Sequence, residues 1–160
     1  MFKIILPRKI RTQLVRELRA AGRREIGGCI LAEALGTDSF RVNEITVQNG
    51  GGTDSSFVRD PEFHRPAIDA FFQRNNKDYQ RFNYLGEWHS HPSFSTRPSS
   101  LDIQEMGALL ADTDAGATFA VLMIVRMRFW TGLDAAAYAF RPRTPPVQVT
   151  IESDGKTRWI

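Results

Sequence analysis

Cysteine and long apolar runs are the scarcest features of the 160-residue sequence, and each scarcity excludes a class of protein. The single cysteine, Cys29, rules out an internal disulfide, so a reducing, cytoplasmic setting is expected. No stretch approaches the roughly 20 apolar residues that a membrane-spanning helix needs. The apolar run at residues 2–6 is too short for a signal peptide and fits a first strand better. No membrane partner is therefore expected.

The residues that are present indicate one compact domain, expected over residues 1–160. Hydrophobic residues make up 42% of the chain and charged residues 24%, a balance typical of globular rather than disordered proteins. The net charge is +3, and the arginines are densest between Arg8 and Arg24. A solvated helix face accounts for that density, and a surface for an acidic partner or nucleic acid is the alternative. Nucleic acid is not expected as a partner, because no nucleic-acid-binding motif accompanies the charge.

Strand and helix patterns alternate along the chain. Apolar residues at helical spacing predict helices over 9–21, 61–75 and 100–110. Runs rich in β-forming residues predict strands over 2–6, 25–35, 40–47, 81–91, 117–126, 129–140 and 147–151. Residues 49–54, which include three successive glycines, are predicted to form a flexible loop. The mixture indicates an α/β or α+β domain with a mixed β-sheet packed by about three helices.

Two histidines at strand spacing predict a metal site. Side chains alternate along a strand, so His89 and His91 share one face while Trp88 lies on the other. The two positions are about 6.6 Å apart along the strand, near enough for both imidazoles to reach one ion. Pro92 then ends the strand, which places the pair where a substrate can approach. Imidazole is a good zinc ligand, and a catalytic zinc takes three protein ligands and a water.

Asp102 is the natural third ligand. Two neutral histidines and one aspartate leave a zinc site with net positive charge, so the metal still acidifies its water. Ser99 lies about one helical turn earlier, where its hydroxyl can donate a hydrogen bond to an oxyanion. The alternative for Ser99 and Asp102 is a capping box at the start of a helix. The two roles can coexist.

The combined pattern resembles a known family. His89-Ser90-His91-Pro92, the gap from Ser93 to Pro98, and Ser99-Ser100-Leu101-Asp102 look like the complete JAMM signature of the MPN-domain zinc isopeptidases, which have a cytidine-deaminase-like fold. The resemblance implies that His89, His91 and Asp102 bind Zn²⁺, and that Ser99 steadies the tetrahedral intermediate. The family also carries an upstream glutamate, and Glu25 stands at that position.

The resemblance implies that Glu25 is the general base, which takes a proton from the attacking water and passes it to the leaving amine. Strand alternation alone favours Glu87, which shares a face with both histidines. Its displacement along the strand suits a supporting contact that fixes a histidine. Without the family pattern, Glu25 would be interpreted as a solvated carboxylate near Arg23 and Arg24.

The segment from Tyr84 to Pro92 and the phrase from Phe57 to Asp60 resemble the bacterial branch of the family. That branch implies an anti-phage operon with partners similar to ubiquitin-activating and ubiquitin-conjugating enzymes. The implied substrate is a ubiquitin-like protein, or another conjugated target protein such as a nucleotidyltransferase. Its extended C-terminal tail would add to an exposed sheet edge. Arg59 and Asp60 are equally compatible with a salt bridge and cap at a helix start.

Other functions and other residues complete the predictions. The same enzyme would alternatively process a ubiquitin-like or sulfur-carrier precursor, or the chain would be a non-catalytic MPN scaffold or a basic nucleic-acid module. Phe94 and Trp88 flank the motif and are candidates for lining a substrate groove, with core packing as the alternative for Trp88. His64 is predicted to lie at the surface, and Cys29 to be a buried, inert thiol.

Overall fold

The computed structural model describes residues 1–112, 116–129 and 132–154. The helices in this part of the chain are α1 (Arg8–Ala21), α2 (Pro61–Arg74) and α3 (Ser100–Ala111). The strands are β1 (Lys3–Ile5), β2 (Gly27–Gly36), β3 (Ser39–Ile45), β4 (Phe82–Ser90), β5 (Ala120–Arg128), β6 (Gly132–Phe140) and β7 (Val147–Glu152). The predicted α and β content with three helices is confirmed. The predicted strand 129–140 includes residues 130 and 131, which lie outside the described residues, as do residues 155–160 of the predicted domain.

The seven strands form a closed barrel in the order β1-β3-β2-β4-β5-β6-β7. Closure is made by β1, which pairs in parallel with β3 on one side and with β7 on the other. β4 runs antiparallel to β2 and parallel to β5. The sequence predicted a mixed sheet and did not address whether it closes. Because every strand has two neighbours, the barrel offers a substrate tail no complete sheet edge to extend.

The largest hydrophobic cluster joins α1 to one face of the sheet. α1 begins after Pro7, and its buried positions are Ile10, Leu14, Leu18 and Ala21, the helical stripe that the sequence predicted. Gly22 ends the helix with φ +63°, a conformation that glycine adopts without strain. The stripe packs with inward residues of β5 such as Val121 and Met123. Burial of each such side chain stabilises the fold by about 1.5–3 kcal/mol.

β5 is covered on both faces, which explains its continuous apolar run. Its alternate residues Ala120, Leu122 and Ile124 pack against Met106 of α3. Leu101 of α3 takes no part in this contact, and it is 52% exposed. The contact between α3 and the sheet is made by Met106 with the partly buried Leu109 and Leu110, so Leu101 at the first turn faces away from that cluster.

Trp88 belongs to the core. It is fully buried in the cluster around α1, and its indole N–H donates to the carbonyl oxygen of Thr46 at 2.9 Å. The prediction that Trp88 lies opposite the histidines on β4 agrees with this position. Its assignment to a substrate groove is wrong, since the cluster around α1 covers the face of β4 that carries Trp88.

No helix among residues 1–112, 116–129 and 132–154 is both long and apolar enough to cross a membrane.

Candidate metal centre and cleft

The end of β4 is held rigidly by its neighbours. His89 lies opposite Gly27 of β2 and opposite Ile124 of β5. Just before β2 begins, the Ser90 N–H donates to the carbonyl oxygen of Ile26 at 2.8 Å, and the Ile26 N–H donates to the Ser90 hydroxyl at 3.0 Å. The His91 N–H donates to Val125 of β5 at 2.9 Å. The backbone carrying both histidines therefore has little freedom to move.

His89, His91 and Asp102 meet at one point. The two Nε2 atoms are 3.0 Å apart, and Asp102 places one oxygen 3.3 Å from His89 Nε2 and the other 3.6 Å from His91 Nε2. Zinc bonds of 2.0–2.1 Å at the tetrahedral angle put neighbouring ligand atoms about 3.3 Å apart. The observed spacings lie near that value, although the two aspartate distances end on different oxygens, so the donor set is compatible with zinc.

The protonation state of His91 also suits a metal. His91 Nδ1 lies 2.8 Å from the carbonyl oxygen of Ser95, which can only accept, so Nδ1 carries the proton and the Nε2 lone pair is free. Burial lowers the pKa of His91, and the neighbouring His89 lowers it further, against the opposing effect of the Ser95 carbonyl and the Asp102 charge. Neutral imidazole is the form that binds a metal.

Asp102 is ionised, and its carboxylate belongs both to the cluster with the two histidines and to the start of α3. Burial acts to raise its pKa, but hydrogen bonding and charge from His89, with hydrogen bonds from Ser99, lower it to about 2. The Ser99 N–H donates to Asp102 Oδ2 at 2.6 Å, and the Asp102 N–H donates to the Ser99 hydroxyl at 3.1 Å. This is the capping box of α3. The Ser99 hydroxyl accepts in that contact, which leaves its own proton available to another acceptor.

Glu25 shares a cavity with the three clustered side chains. The cavity, of about 340 Å³, is called the cleft below, and its lining includes Glu25, His89, His91, Ser99 and Asp102. Glu25 is only 5% exposed and lies two residues before β2 begins, rather than inside the strand. Burial raises its pKa; the charges of Asp102 and Asp54 add to this effect and His89 opposes it. A buried carboxyl with a raised pKa is a stronger base than a solvated one.

Glu87 does not contact a histidine in the described structure. Its carboxylate instead accepts from the Arg59 guanidinium and from the Tyr84 hydroxyl, the latter at 3.3 Å. The prediction that Glu87 fixes a histidine is therefore corrected, since Arg59 and Tyr84 occupy its carboxylate. Asp60 caps α2 by accepting from the Glu62 N–H at 3.0 Å, as one alternative for this segment predicted. Arg59 pairs with β4 rather than with the start of its own helix.

The outer wall of the cleft is apolar. Phe94 and Leu101 line it and are about half exposed, and Phe57 lines the cleft as well. Phe94 was predicted to line a groove, and the structure places it there. Glu105 also lines the cleft, and the sequence analysis missed it. Its position one helical turn after Asp102 was the available signal.

Comparisons with known proteins found a matching family and a related sequence. Residues 7–133 match the model of a family described as prokaryotic homologs of the JAB domain. A protein from Enterobacter hormaechei named CD-NTase/cGAS isopeptidase is 25% identical over 128 residues, covering 78% of this chain and 68% of that protein.

Two solution structures show the same fold. Protein DSY2949 from Desulfitobacterium hafniense superposes with a TM-score of 0.72 at 19% identity, over 96% of this chain and 94% of the other. A protein from Salinibacter ruber superposes with a TM-score of 0.57 at 20% identity, over 97% and 95% of the respective chains.

Proposed function

The chain belongs to the family of prokaryotic homologs of the JAB domain, and from this premise we propose that it is a zinc-dependent isopeptidase. It would hydrolyse the bond after the C-terminal residue of a ubiquitin-like or other conjugated protein. The convergence of His89, His91 and Asp102 beside the buried Glu25 is the observation that carries the proposal. The name of the Enterobacter relative supports a conjugated protein as the substrate.

His89, His91 and Asp102 would hold the zinc ion. When bound, zinc supplies Lewis acidity, which polarises a carbonyl and makes water acidic enough to react near neutral pH. The chain's own contribution begins with orientation. The Ser95 carbonyl sets the tautomer of His91, and the capping box sets the position of Asp102, so the ligand atoms need no rearrangement.

Glu25 would move the proton. Its raised pKa lets it accept a proton from the attacking water at neutral pH and release it to the leaving amine. At 5% exposure the carboxylate has little competing solvation, which favours transfer within the cleft. Ser99 would donate its free hydroxyl proton to the oxyanion that forms on the substrate carbonyl.

The substrate would enter as an extended tail along the cleft. Because each strand of the barrel already has two neighbours, the tail would be held by the cleft walls rather than as an added complete strand. The apolar side chains of Phe94 and Leu101 would cover it on the outer side. Cytoplasmic operon partners similar to activating and conjugating enzymes would supply the conjugate.

The test is cleavage of a defined conjugate by the zinc-loaded protein. A conjugate made by the adjacent activating and conjugating enzymes should be cut at the conjugation site, with about one zinc per chain. The His89→Ala/His91→Ala double variant should lose both zinc and cleavage. A carefully purified wild type that binds no zinc would refute the proposal.

The choice of substrate is decided in the same assay. Cleavage of a precursor with a C-terminal extension, without cleavage of the conjugate, would replace deconjugation by precursor processing. Zinc binding without hydrolysis of either substrate would support the non-catalytic scaffold instead.

A further inference from the structure

One side chain, that of Gln48, ties down the segment between β3 and α2. Gln48 follows the end of β3, where it forms an antiparallel bridge with Gly27 and its N–H donates to the Gly27 carbonyl at 2.8 Å. Gly27 in turn lies opposite His89 on β4. Gln48 therefore lies two strands from a predicted zinc ligand, and at 7% exposure it is shielded from water.

The side-chain amide of Gln48 makes two hydrogen bonds through its nitrogen and two through its oxygen. Its Nε2 donates to the carbonyl oxygens of Gly50 and Val58, each at 3.1 Å. Its Oε1 accepts from the Asp60 N–H at 2.8 Å and faces His64 Nε2 at 3.1 Å. These contacts hold the first and last parts of residues 49–60, called the Gln48 loop below, against one point. The loop was predicted to be flexible at 49–54.

His64 completes the network as a neutral donor. It is fully buried rather than at the surface as predicted. Oε1 of Gln48 can only accept, so His64 carries its proton on Nε2. Its Nδ1 has no partner within the described structure, and burial, with the nearby charge of Arg59, lowers its pKa. A neutral His64 thus supports the Gln48 carbonyl without adding charge beneath the loop.

The middle of the Gln48 loop holds Glu25. The Glu25 N–H donates to the carbonyl oxygen of Thr53 at 2.6 Å, and the Thr53 N–H donates to Ser56 at 2.8 Å. Gly52 packs so closely on the Glu25 carbonyl that an added Cβ would meet the oxygen at 1.9 Å. Ser56 and Phe57 of the same loop line the cleft. The position of this loop therefore determines the position of the Glu25 backbone and of one wall of the cleft.

We infer that Gln48 is a positioning residue for the proposed hydrolysis: its side chain fixes the loop that places Glu25 beside the metal centre. The inference rests on the proposed function, in which Glu25 is the base. Among the side-chain hydrogen bonds of the described residues, those of Gln48 alone reach both ends of the loop. A methionine at this position has similar volume but cannot make the four contacts, so Gln48→Met removes the tie with little change in packing.

The experiment combines amide hydrogen exchange by NMR with steady-state cleavage, both on the zinc-loaded protein. In the wild type, the amides of Glu25, Thr53 and Asp60 should be protected. In Gln48→Met they should exchange at least about tenfold faster, while amides within β2 and β4 keep their rates. We expect kcat to fall roughly 10- to 100-fold, because small misplacements of a catalytic group have effects of this size. Zinc should remain at about one per chain.

Val149→Ala serves as the matched control. Val149 is a buried residue of β7, so this variant lowers general stability without touching the loop. It should lower the melting temperature and leave kcat and the three loop amides unchanged. The inference would be overturned if Gln48→Met kept the wild-type kcat and the wild-type exchange rates of the loop amides. It would also be overturned if Val149→Ala, destabilised as much as Gln48→Met, lost as much kcat.

Two further outcomes separate this inference from the proposed function. Rapid exchange of the loop amides in the wild type would overturn it even if Gln48→Met failed to fold. If the wild type cleaves no substrate, the proposed function fails and the positioning role falls with it, whereas the exchange data alone would still show whether Gln48 holds the loop.

Discussion

Replacement of Glu25 by glutamine separates the chemistry of the cleft from its architecture. Glutamine has nearly the same shape, so the backbone contact between the Glu25 N–H and Thr53 should survive. The side chain loses only its ability to take a proton. Because Glu25 is not among the three clustered ligand residues, Glu25→Gln should still bind about one zinc per chain.

The expected effects on rate and stability have opposite signs. General-base catalysis contributes about 10²–10⁴-fold, so the barrier should rise by roughly 2.7–5.4 kcal/mol. Burial raises the pKa of Glu25 above its ordinary 4.5, so the ionised carboxyl destabilises the fold. The protonated carboxyl of Glu25 contributes favourably to stability. This contribution is complete below the ordinary pKa and is lost as pH rises through the raised pKa. Each unit of upward shift corresponds to about 1.4 kcal/mol.

Both effects can be measured on the same two proteins. Cleavage is compared with zinc loaded, and urea unfolding is compared at pH 8 and pH 4 after zinc removal, so that the metal's charge does not favour the carboxylate. Glu25→Gln should be the more stable protein at pH 8, and the difference should shrink at pH 4. Turnover equal to the wild type would refute the role of Glu25 as base. Lower stability at pH 8 would refute the argument from burial.

Three further predictions concern the core beneath the cleft. Burial raises the pKa of Cys29 to about 11, so at pH 8 about one thiol in a thousand is ionised. A thiol reagent should therefore label the denatured protein and leave the folded protein unmodified. Rapid labelling of the folded protein would contradict this. Gly28→Ala should cost about 3 kcal/mol or more in urea unfolding, because the new Cβ would lie 2.0 Å from the Thr46 carbonyl oxygen, whereas Gly36→Ala, with open space around it, should stay near wild type. Trp88→Phe removes the donor to that same oxygen and some core volume, so a loss of about 2–4 kcal/mol is expected, and an unchanged melting temperature would show that the hydrogen bond contributes nothing.

Local patterns accounted for most elements of the fold. α1 was predicted from its apolar stripe over 9–21 and observed over Arg8–Ala21. β4 was predicted over 81–91, with its end assigned to Pro92, and observed over Phe82–Ser90. Both predictions depend on residues close together in the chain, where periodicity and proline act directly. Barrel closure has no such signal, because it joins Lys3 to Thr150.

The residues of the candidate site also fall into those that local sequence patterns predicted and those that they did not. His89, His91 and Asp102 lie close in sequence, so strand alternation and one helix start were enough to bring them together. Glu25 lies far upstream, and only the family resemblance selected it over Glu87. The contacts made by Gln48 and the pairing of Arg59 with Glu87 join single residues across loops, and a single contact leaves no periodic pattern. His64 was misplaced for a related reason: a buried polar residue with a polar partner has the same sequence signature as a solvated one.

The pairing of β1 with β7 limits when the barrel can close during translation. β1 is synthesised before the other described strands, and its second neighbour, β7, follows only after all of them. At translation rates of about 5–20 residues per second, β1 waits roughly 7–30 s for that partner. During this interval all of the clustered cleft residues have been made, while one side of β1 is an unpaired strand edge open to aggregation. Chaperone demand should therefore be greatest just before the last strand emerges.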